Sequence, residues 1–361
     1  MTRNEPIKVL VVDDSALVRQ VLSRGIEADP QLSVVGAAPD AIKARQLILQ
    51  TNPQVLTLDV EMPYLNGLQF LKQLMKFYPV PVIMVSALTE KSSRMTLDAL
   101  AAGAVDVVLK PKADVRAGLV NMMADLRSKI KAAAHAHPAG TVRLPYPKTE
   151  RVPNRSIAPV KGDEGDEKII AIGASTGGIQ AIRCLLRHFP ANAPGTVIVQ
   201  HLPAGFTRQF AEQLNALLPL SVKEAQTGDV VRPGHVFIAP GDYHVQVTRI
   251  GGKYRLVCRK GERVNGYRPS VEVLFRSVAR YAGKQAVGIL LTGMGNDGAE
   301  AMVHLRRNGA LTIAQDKKTS VVWGMPKEAY VRGGASHVLP LQEIPQKIFN
   351  DHWSKENAWP N

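Results

Sequence analysis

Ile7-Lys8-Val9-Leu10-Val11-Val12-Asp13-Asp14-Ser15 is an apolar run of strand length that stops on two carboxylates and a hydroxyl. A run this short, bounded by Lys8 and Asp13, reads as a strand covered on both faces; it is too brief for a membrane span or a signal-peptide core. Outward from it the same rhythm returns. Strands are expected at 33–37, 55–58, 80–85 and 105–109, with helical periodicity near 15–28, 40–51, 66–77 and 90–101 and a fifth helix after Asp114. Alternating units of this kind predict an α/β domain, a doubly wound five-stranded parallel sheet over residues 1–131 with its working crevice at the strand C-termini.

The chain has 361 residues, too many for one ordinary core. Residues 132–167 break the alternation with Pro138, Pro145, Pro147, Pro153 and Pro159 and few periodic apolar positions, which reads as a flexible linker. Strand–helix alternation resumes at Lys168-Ile169-Ile170-Ala171-Ile172. Further strands are expected at 196–200, 235–239, 244–248, 254–257, 286–291 and 311–314, with helices following Thr176, Phe206, Ser270, Asp297 and Pro326. Gly241-Asp242 and Gly251-Gly252 read as hairpin turns. The second domain, 168–361, is therefore expected to be a doubly wound, mostly parallel α/β sheet with an antiparallel hairpin.

The absence of a long apolar segment points to a cytoplasmic protein with no membrane insertion. Cys184 and Cys258 have neither metal-ligand nor disulfide spacing and read as free thiols. The net charge of +14 is uneven: residues 1–131 carry 16 Lys/Arg against 13 Asp/Glu, 132–167 carry 5 against 5, and 168–361 carry 24 against 13. The second half thus holds +11 of the excess, densest around Lys253, Arg255, Arg259, Lys260, Arg263 and Arg268. Such a face steers toward an acidic protein surface or a nucleic acid.

In a doubly wound sheet the first and third strands end side by side, so Asp13, Asp14 and Asp59 converge. Three carboxylates at one point call for a divalent cation, and an all-oxygen ligand set suits Mg²⁺. Ser86 ends the fourth strand and Lys110 the fifth, completing the equipment for phosphoryl transfer to a carboxylate. Here Val11-Val12-Asp13-Asp14-Ser15, Leu58-Asp59-Val60-Glu61-Met62-Pro63, Asn66-Gly67, Ser86-Ala87 and Gly103-Ala104 through Lys110-Pro111 resemble the response-regulator receiver family. The resemblance implies that Asp59 is the phosphoacceptor. It also implies that Asp13 and Asp14 hold Mg²⁺ together with the main-chain carbonyl of Glu61, that Ser86 is the switch hydroxyl and that Lys110 pairs with the phosphoryl group. The aromatic residue common on the family's last strand is absent from Val105-Asp106-Val107-Val108-Leu109.

In the second half, Gly173-Ala174-Ser175-Thr176-Gly177-Gly178 leaves a strand and opens a helix. A dinucleotide phosphate loop would want an acid closing the next strand. That strand ends instead in Gln200-His201. The alternative makes Ser175 a nucleophile on a tight turn at a helix N-terminus, where backbone N–H groups favour developing negative charge. His201 then serves as base. Asp297, in Leu291-Thr292-Gly293-Met294-Gly295-Asn296-Asp297-Gly298, serves as the orienting acid. These stretches, with Gln200-His201-Leu202-Pro203, Phe237-Ile238-Ala239-Pro240-Gly241-Asp242, Arg268-Pro269-Ser270-Val271 and Ser320-Val321-Val322-Trp323-Gly324-Met325-Pro326, resemble the catalytic domain of the chemotaxis protein-glutamate methylesterases. The resemblance implies hydrolysis of glutamyl methyl esters on methyl-accepting chemotaxis receptors, with deamidation of receptor glutamines as a second activity and a chemotaxis histidine kinase as phosphodonor. It implies Ser175, His201 and Asp297 as the catalytic triad, the Met294 N–H as oxyanion donor, and Thr176 and Arg268 lining the cleft, with no cofactor for the ester chemistry. Lys317-Lys318 and Glu272 depart from the family pattern. On this reading Asp297→Asn leaves the fold intact. A receiver-controlled nucleic-acid-binding regulator, the alternative of a different class, predicts an output domain shorter than about 110 residues. Residues 168–361 form a glycine-punctuated α/β domain nearly twice as long, so no nucleic-acid partner is expected.

Overall fold

The computed structural model describes residues 5–87, 89–110, 116–134 and 168–353. The linker assignment over 132–167 therefore lies almost wholly outside the described residues, as does the start of the fifth connection after Lys110. The chain divides into two compact units, Met1–Leu144 and Pro145–Asn361.

The first unit is a five-stranded parallel sheet in the order β2-β1-β3-β4-β5, formed by Leu32–Ala38, Ile7–Val12, Val55–Asp59, Val82–Ser86 and Asp106–Leu109. Val9 to Val12 are at most 1% exposed, because helices cover both faces of a parallel sheet and leave no wet side. The helices are α1 (Ala16–Glu27), α2 (Ala41–Thr51), α3 (Gly67–Phe77), α4 (Glu90–Ala102) and α5 (Arg116–Ala134). Their starts are marked by side-chain caps from Ser15 and Asp40 and by capping boxes at Asn66/Gln69 and Thr89/Ser92. β4 begins at Val82 rather than 80 because Pro81 has no N–H to give a ladder; its carbonyl still accepts from Leu56 at 2.9 Å.

The second unit has a seven-stranded, wholly parallel sheet in the order β14-β13-β12-β6-β7-β9-β8. Its strands in chain order are β6 (Ile169–Ala174), β7 (Gly195–Gln200), β8 (Ser221–Glu224), β9 (His235–Ile238), β12 (Ala286–Leu290), β13 (Leu311–Gln315) and β14 (His337–Leu339). β10 (His244–Ile250) and β11 (Lys253–Arg259) form a separate antiparallel pair turned by Gly251-Gly252. Gly241-Asp242 is not a hairpin turn: β9 pairs only with parallel neighbours, and this turn carries the chain out of the large sheet. The hairpin buries Val245, Val247, Tyr254 and Leu256 in one core with Val271, Leu274, Phe275 and Val278 of α8 (Val271–Tyr281). The other main helices are α6 (Gly178–Leu186), α7 (Phe206–Leu217), α9 (Ala299–Arg307) and α10 (Met325–Val331). The central strand β6 lies between β7, which follows it, and β12, which comes much later. That is a topological switch point, where an open α/β sheet leaves a crevice. No helix among the described residues is long and apolar enough to cross a membrane.

Candidate functional site

Both units present chemistry at their strand C-termini. In the first, β1 and β3 are hydrogen-bonded neighbours, and Asp13, Asp14 and Asp59 bring carboxylate oxygens within 4.8 Å of one another. Asp13 and Asp59 are buried and Asp14 is exposed. Lys110 Nζ bridges Asp13 Oδ2 and Asp59 Oδ2 at 2.8 Å each. Burial raises the Asp59 carboxyl above its ordinary range, opposed by the Lys110 contact and assisted by Asp13. For Lys110 burial pulls downward, but hydrogen bonds to Asp13 and Asp59 outweigh it and its pKa rises. Three carboxylates against one ammonium leave two formal negative charges in a largely buried pocket, which fits a divalent cation with oxygen ligands. The structure brings these four residues together. The Ser86 hydroxyl is instead engaged by Thr96 Oγ1 at 2.9 Å and the Ala87 carbonyl at 3.1 Å. Glu61 is exposed in the loop after β3, its N–H 3.5 Å from Asp59 Oδ1.

In the second unit Ser175 follows β6 directly. Its backbone is held on three sides: its N–H donates to Thr292 O at 3.0 Å, and its carbonyl accepts from Gly178 N–H at 2.7 Å and Gln200 Nε2 at 2.9 Å. Gly293 is required beside it, since a Cβ there would sit 2.8 Å from Ser175 Cβ. β6 and β7 pair Ala174 with Gln200, so His201 leaves β7 one residue later, level with Ser175, and its N–H donates to Ala174 O at 3.1 Å. His201 Nε2 meets Asp297 Oδ2 at 2.9 Å. Its other ring nitrogen, Nδ1, is buried with no hydrogen-bond partner among the described residues.

Asp297 is fully buried and lies just before α9. Besides His201 it accepts from Asn265 Nδ2 at 2.8 Å, Ser270 Oγ at 2.7 Å, and the first two N–H groups of α8, Val271 at 2.6 Å and Glu272 at 3.3 Å. Burial works against its ionisation, but the hydrogen bonds from His201, Asn265 and Ser270 prevail and its pKa is lowered. Glu272 Oε2 in turn accepts from Ala301 N–H of α9 at 3.0 Å, so the carboxylate just before α9 caps α8 and one in the first turn of α8 caps α9. Glu272, a departure from the family pattern, is buried here. Thr292 is fixed by Gln315, whose Oε1 accepts its N–H at 2.8 Å.

Met294 lies in the loop one residue beyond Gly293, and Thr176 is 3% exposed next to Ser175. Arg268 is turned to Asp242, with Nε and Nη2 on one carboxylate oxygen at 3.0 and 2.5 Å, and also donates to Gly261 O. Sequence reasoning passed over Asn265 and Tyr267. The Tyr267 ring stacks on His201 with centroids 3.7 Å apart and planes 10° from parallel. The signal was present in Asn265-Gly266, the dipeptide most typical of a two-residue reversal.

Residues 170–348 match the family model described as CheB methylesterase, and residues 9–120 match that of the response regulator receiver domain. A protein-glutamate methylesterase/protein-glutamine glutaminase of Syntrophotalea carbinolica is 50% identical over 345 residues, 95% of this chain and 96% of that one. The protein of the same name from Chromohalobacter salexigens is 49% identical over 349 residues, 96% of each chain. The crystal structure of the Thermotoga maritima CheB methylesterase catalytic domain is 39% identical, covers 50% of this chain and 97% of its own, and has a TM-score of 0.49.

Proposed function

The chain belongs to the CheB family of protein-glutamate methylesterase/protein-glutamine glutaminases, and from that premise we propose that Ser175, His201 and Asp297 carry out its hydrolysis. The protein is a receiver-regulated hydrolase of glutamyl methyl esters and of glutamine side-chain amides, acting in chemotactic adaptation. The observation that carries the site assignment is the polarity of the His201 ring. Nε2 is committed to Asp297, while Nδ1 is left without a partner on the strand end next to Ser175.

Nδ1 takes the Ser175 hydroxyl proton as Oγ bonds to the γ-carbonyl carbon. The carbonyl π electrons move to oxygen, where the Met294 N–H and the N-terminus of α6, which has no side-chain cap, stabilise the charge. Collapse expels methoxide, protonated by His201 to methanol; from an amide the leaving group is ammonia. Water then attacks the acyl-enzyme with His201 again as base, giving the glutamate carboxylate and restoring Ser175. Asp297 remains ionised throughout, its lowered pKa suited to stabilising an imidazolium. Thr176 and Arg268 shape the cleft.

In the receiver we assign Asp59 as phosphoacceptor, with Asp13, Asp14, Asp59 and the Glu61 carbonyl as the Mg²⁺ ligands. When bound, the cation neutralises phosphoryl oxygens. Lys110 is already placed to pair with a phosphoryl group on Asp59. Ser86 is assigned as the switch hydroxyl, which on phosphorylation leaves Thr96. Domain limits of 1–131, 132–167 and 168–361 accompany this reading. The substrates are chemoreceptors and the phosphodonor is a chemotaxis histidine kinase. A cytoplasmic location is part of the same reading, and the unpaired thiols of Cys184 and Cys258 suit a reducing compartment. The test is methanol release from methyl-esterified receptor membranes with and without a small-molecule phosphodonor. Stimulated release is expected, and none under either condition would sink the assignment.

A further inference from the structure

Val264-Asn265-Gly266-Tyr267 closes on itself: the Val264 and Tyr267 backbones exchange N–H···O bonds of 3.1 and 3.0 Å, with φ of 54° at Asn265 and 84° at Gly266. Positive φ at both central residues is the two-residue reversal of a tight hairpin, and Asn-Gly is its preferred filling. Such a turn is rigid, and its two sides point at neighbouring members of the site. Asn265 Nδ2 reaches Asp297 Oδ1 at 2.8 Å, and the Tyr267 ring lies flat on His201 at 3.7 Å. The far end of Tyr267 lies over the glycine loop that carries Met294, its hydroxyl 3.9 Å from where a Cβ on Gly295 would stand.

We infer that this turn is a positioning clamp for the base and the acid together. It rests on the Ser175–His201–Asp297 reading above. His201 is anchored by one ring nitrogen only, and a single hydrogen bond leaves an imidazole free to swing about the Nε2···Oδ2 axis. A parallel ring at van der Waals distance removes that freedom and holds Nδ1 toward Ser175. The ring also covers one face of the imidazolium formed in each half-reaction, and a π face attracts a cation. Asn265 acts one step further back. By bonding Oδ1 it keeps the carboxylate plane fixed, so Oδ2 stays aligned with Nε2. Both are positioning residues; neither needs to touch the ester.

The two contacts can be dissected without unfolding the turn. Tyr267→Phe keeps the plane, Tyr267→Leu keeps apolar bulk without it, and Asn265→Gly tolerates the positive φ while deleting the amide. Methanol release is measured on a short peptide carrying a glutamate γ-methyl ester, with Ser175→Ala alongside and a thermal melt for each variant. Tyr267→Phe is expected within about twofold of wild type. Tyr267→Leu should lose about tenfold in kcat with KM within about twofold, the upper range for one aromatic stacking pair. Asn265→Gly should lose several-fold, also in kcat. Equal kcat for Tyr267→Leu and Tyr267→Phe, or a loss confined to KM, overturns the clamp. Retention of activity in Ser175→Ala overturns instead the triad on which it rests.

Discussion

Replacing Asp297 by Asn tests the chemistry and the architecture at once. Oδ1 accepts three donors and Oδ2 two, among them the first two N–H groups of α8. Asn has one accepting oxygen, so its amide must face one of these sets. Placed toward His201 it donates to Nε2, which drives the ring proton onto Nδ1, the atom proposed to accept from Ser175. The same amide meets Val271 N–H, donor against donor, at a site with no exposed surface. One unsatisfied buried N–H costs about 1–3 kcal/mol, and loss of a carboxylate at a helix start costs about 1 kcal/mol or more. A total near 3 kcal/mol lowers the melting temperature of a domain this size by roughly 6–12 °C. Turnover should fall about 10⁴-fold on the serine-protease precedent. The fold expected from sequence to stay intact is therefore expected to be less stable as well. Because folding lowers the Asp297 pKa, its stabilisation is complete above the unfolded value, about 3.9, and disappears as pH falls through the lower folded value. The wild-type and variant melting curves should accordingly converge on acidification below about pH 4. Circular dichroism melts from pH 7 to 3, beside methanol release, make the measurement. A variant melting within about 2 °C of wild type at pH 7 would refute the capping argument.

Ser175→Ala should abolish methanol release at unchanged melting temperature; near wild-type release would remove Ser175 as nucleophile. Asp59→Asn should keep basal esterase activity and lose phosphodonor stimulation, and chelating Mg²⁺ should reproduce that loss; persistent stimulation would place the phosphoacceptor elsewhere. Gly293→Ala pushes a methyl group to 2.8 Å from Ser175 Cβ and should cost at least about tenfold in kcat, with wild-type kcat counting against the close-approach reasoning. Lys260→Glu with Arg263→Glu reverses two cations beside Asp242 and should weaken kcat/KM on glutamate-rich receptor segments at low salt, with less effect on a short ester peptide; a salt-independent outcome would deny the basic face a docking role.

Most β-strands legible in the sequence were those whose covering on both faces leaves a nearly continuous apolar run, such as Val9–Val12, while β10 and β11 showed by alternation on either side of Gly251-Gly252; the site residues legible there stood at the ends of the apolar runs. Asp13, Ser175 and His201 follow a strand directly and Asp59 is the last residue of one, so strand position marked all four. β8 and β14 were missed because they are edge strands. Ser221-Val222-Lys223-Glu224 carries the charges that edges tolerate, and His337–Leu339 has only three half-buried residues. Gly241-Asp242 was misread because a turn signal records a change of direction and says nothing of which strand is paired next. Thr96, Gln200, Gln315 and Tyr267 work through contacts between segments distant in the chain. Helical or strand periodicity carries no trace of such contacts.

The exchange of carboxylates between α8 and α9 ties the catalytic acid to the unfolding behaviour of the domain. Asp297 holds Val271 across 26 positions of chain, and Glu272 holds Ala301 across 29. Fraying of either helix start deprives the other of its cap, so the two starts open as one cooperative unit rather than independently. A partly opened molecule, with Ser175 still on its strand, would thereby already have lost the Asp297 contact proposed to orient His201. On the proposed triad, hydrolytic competence would then belong to the closed native population alone.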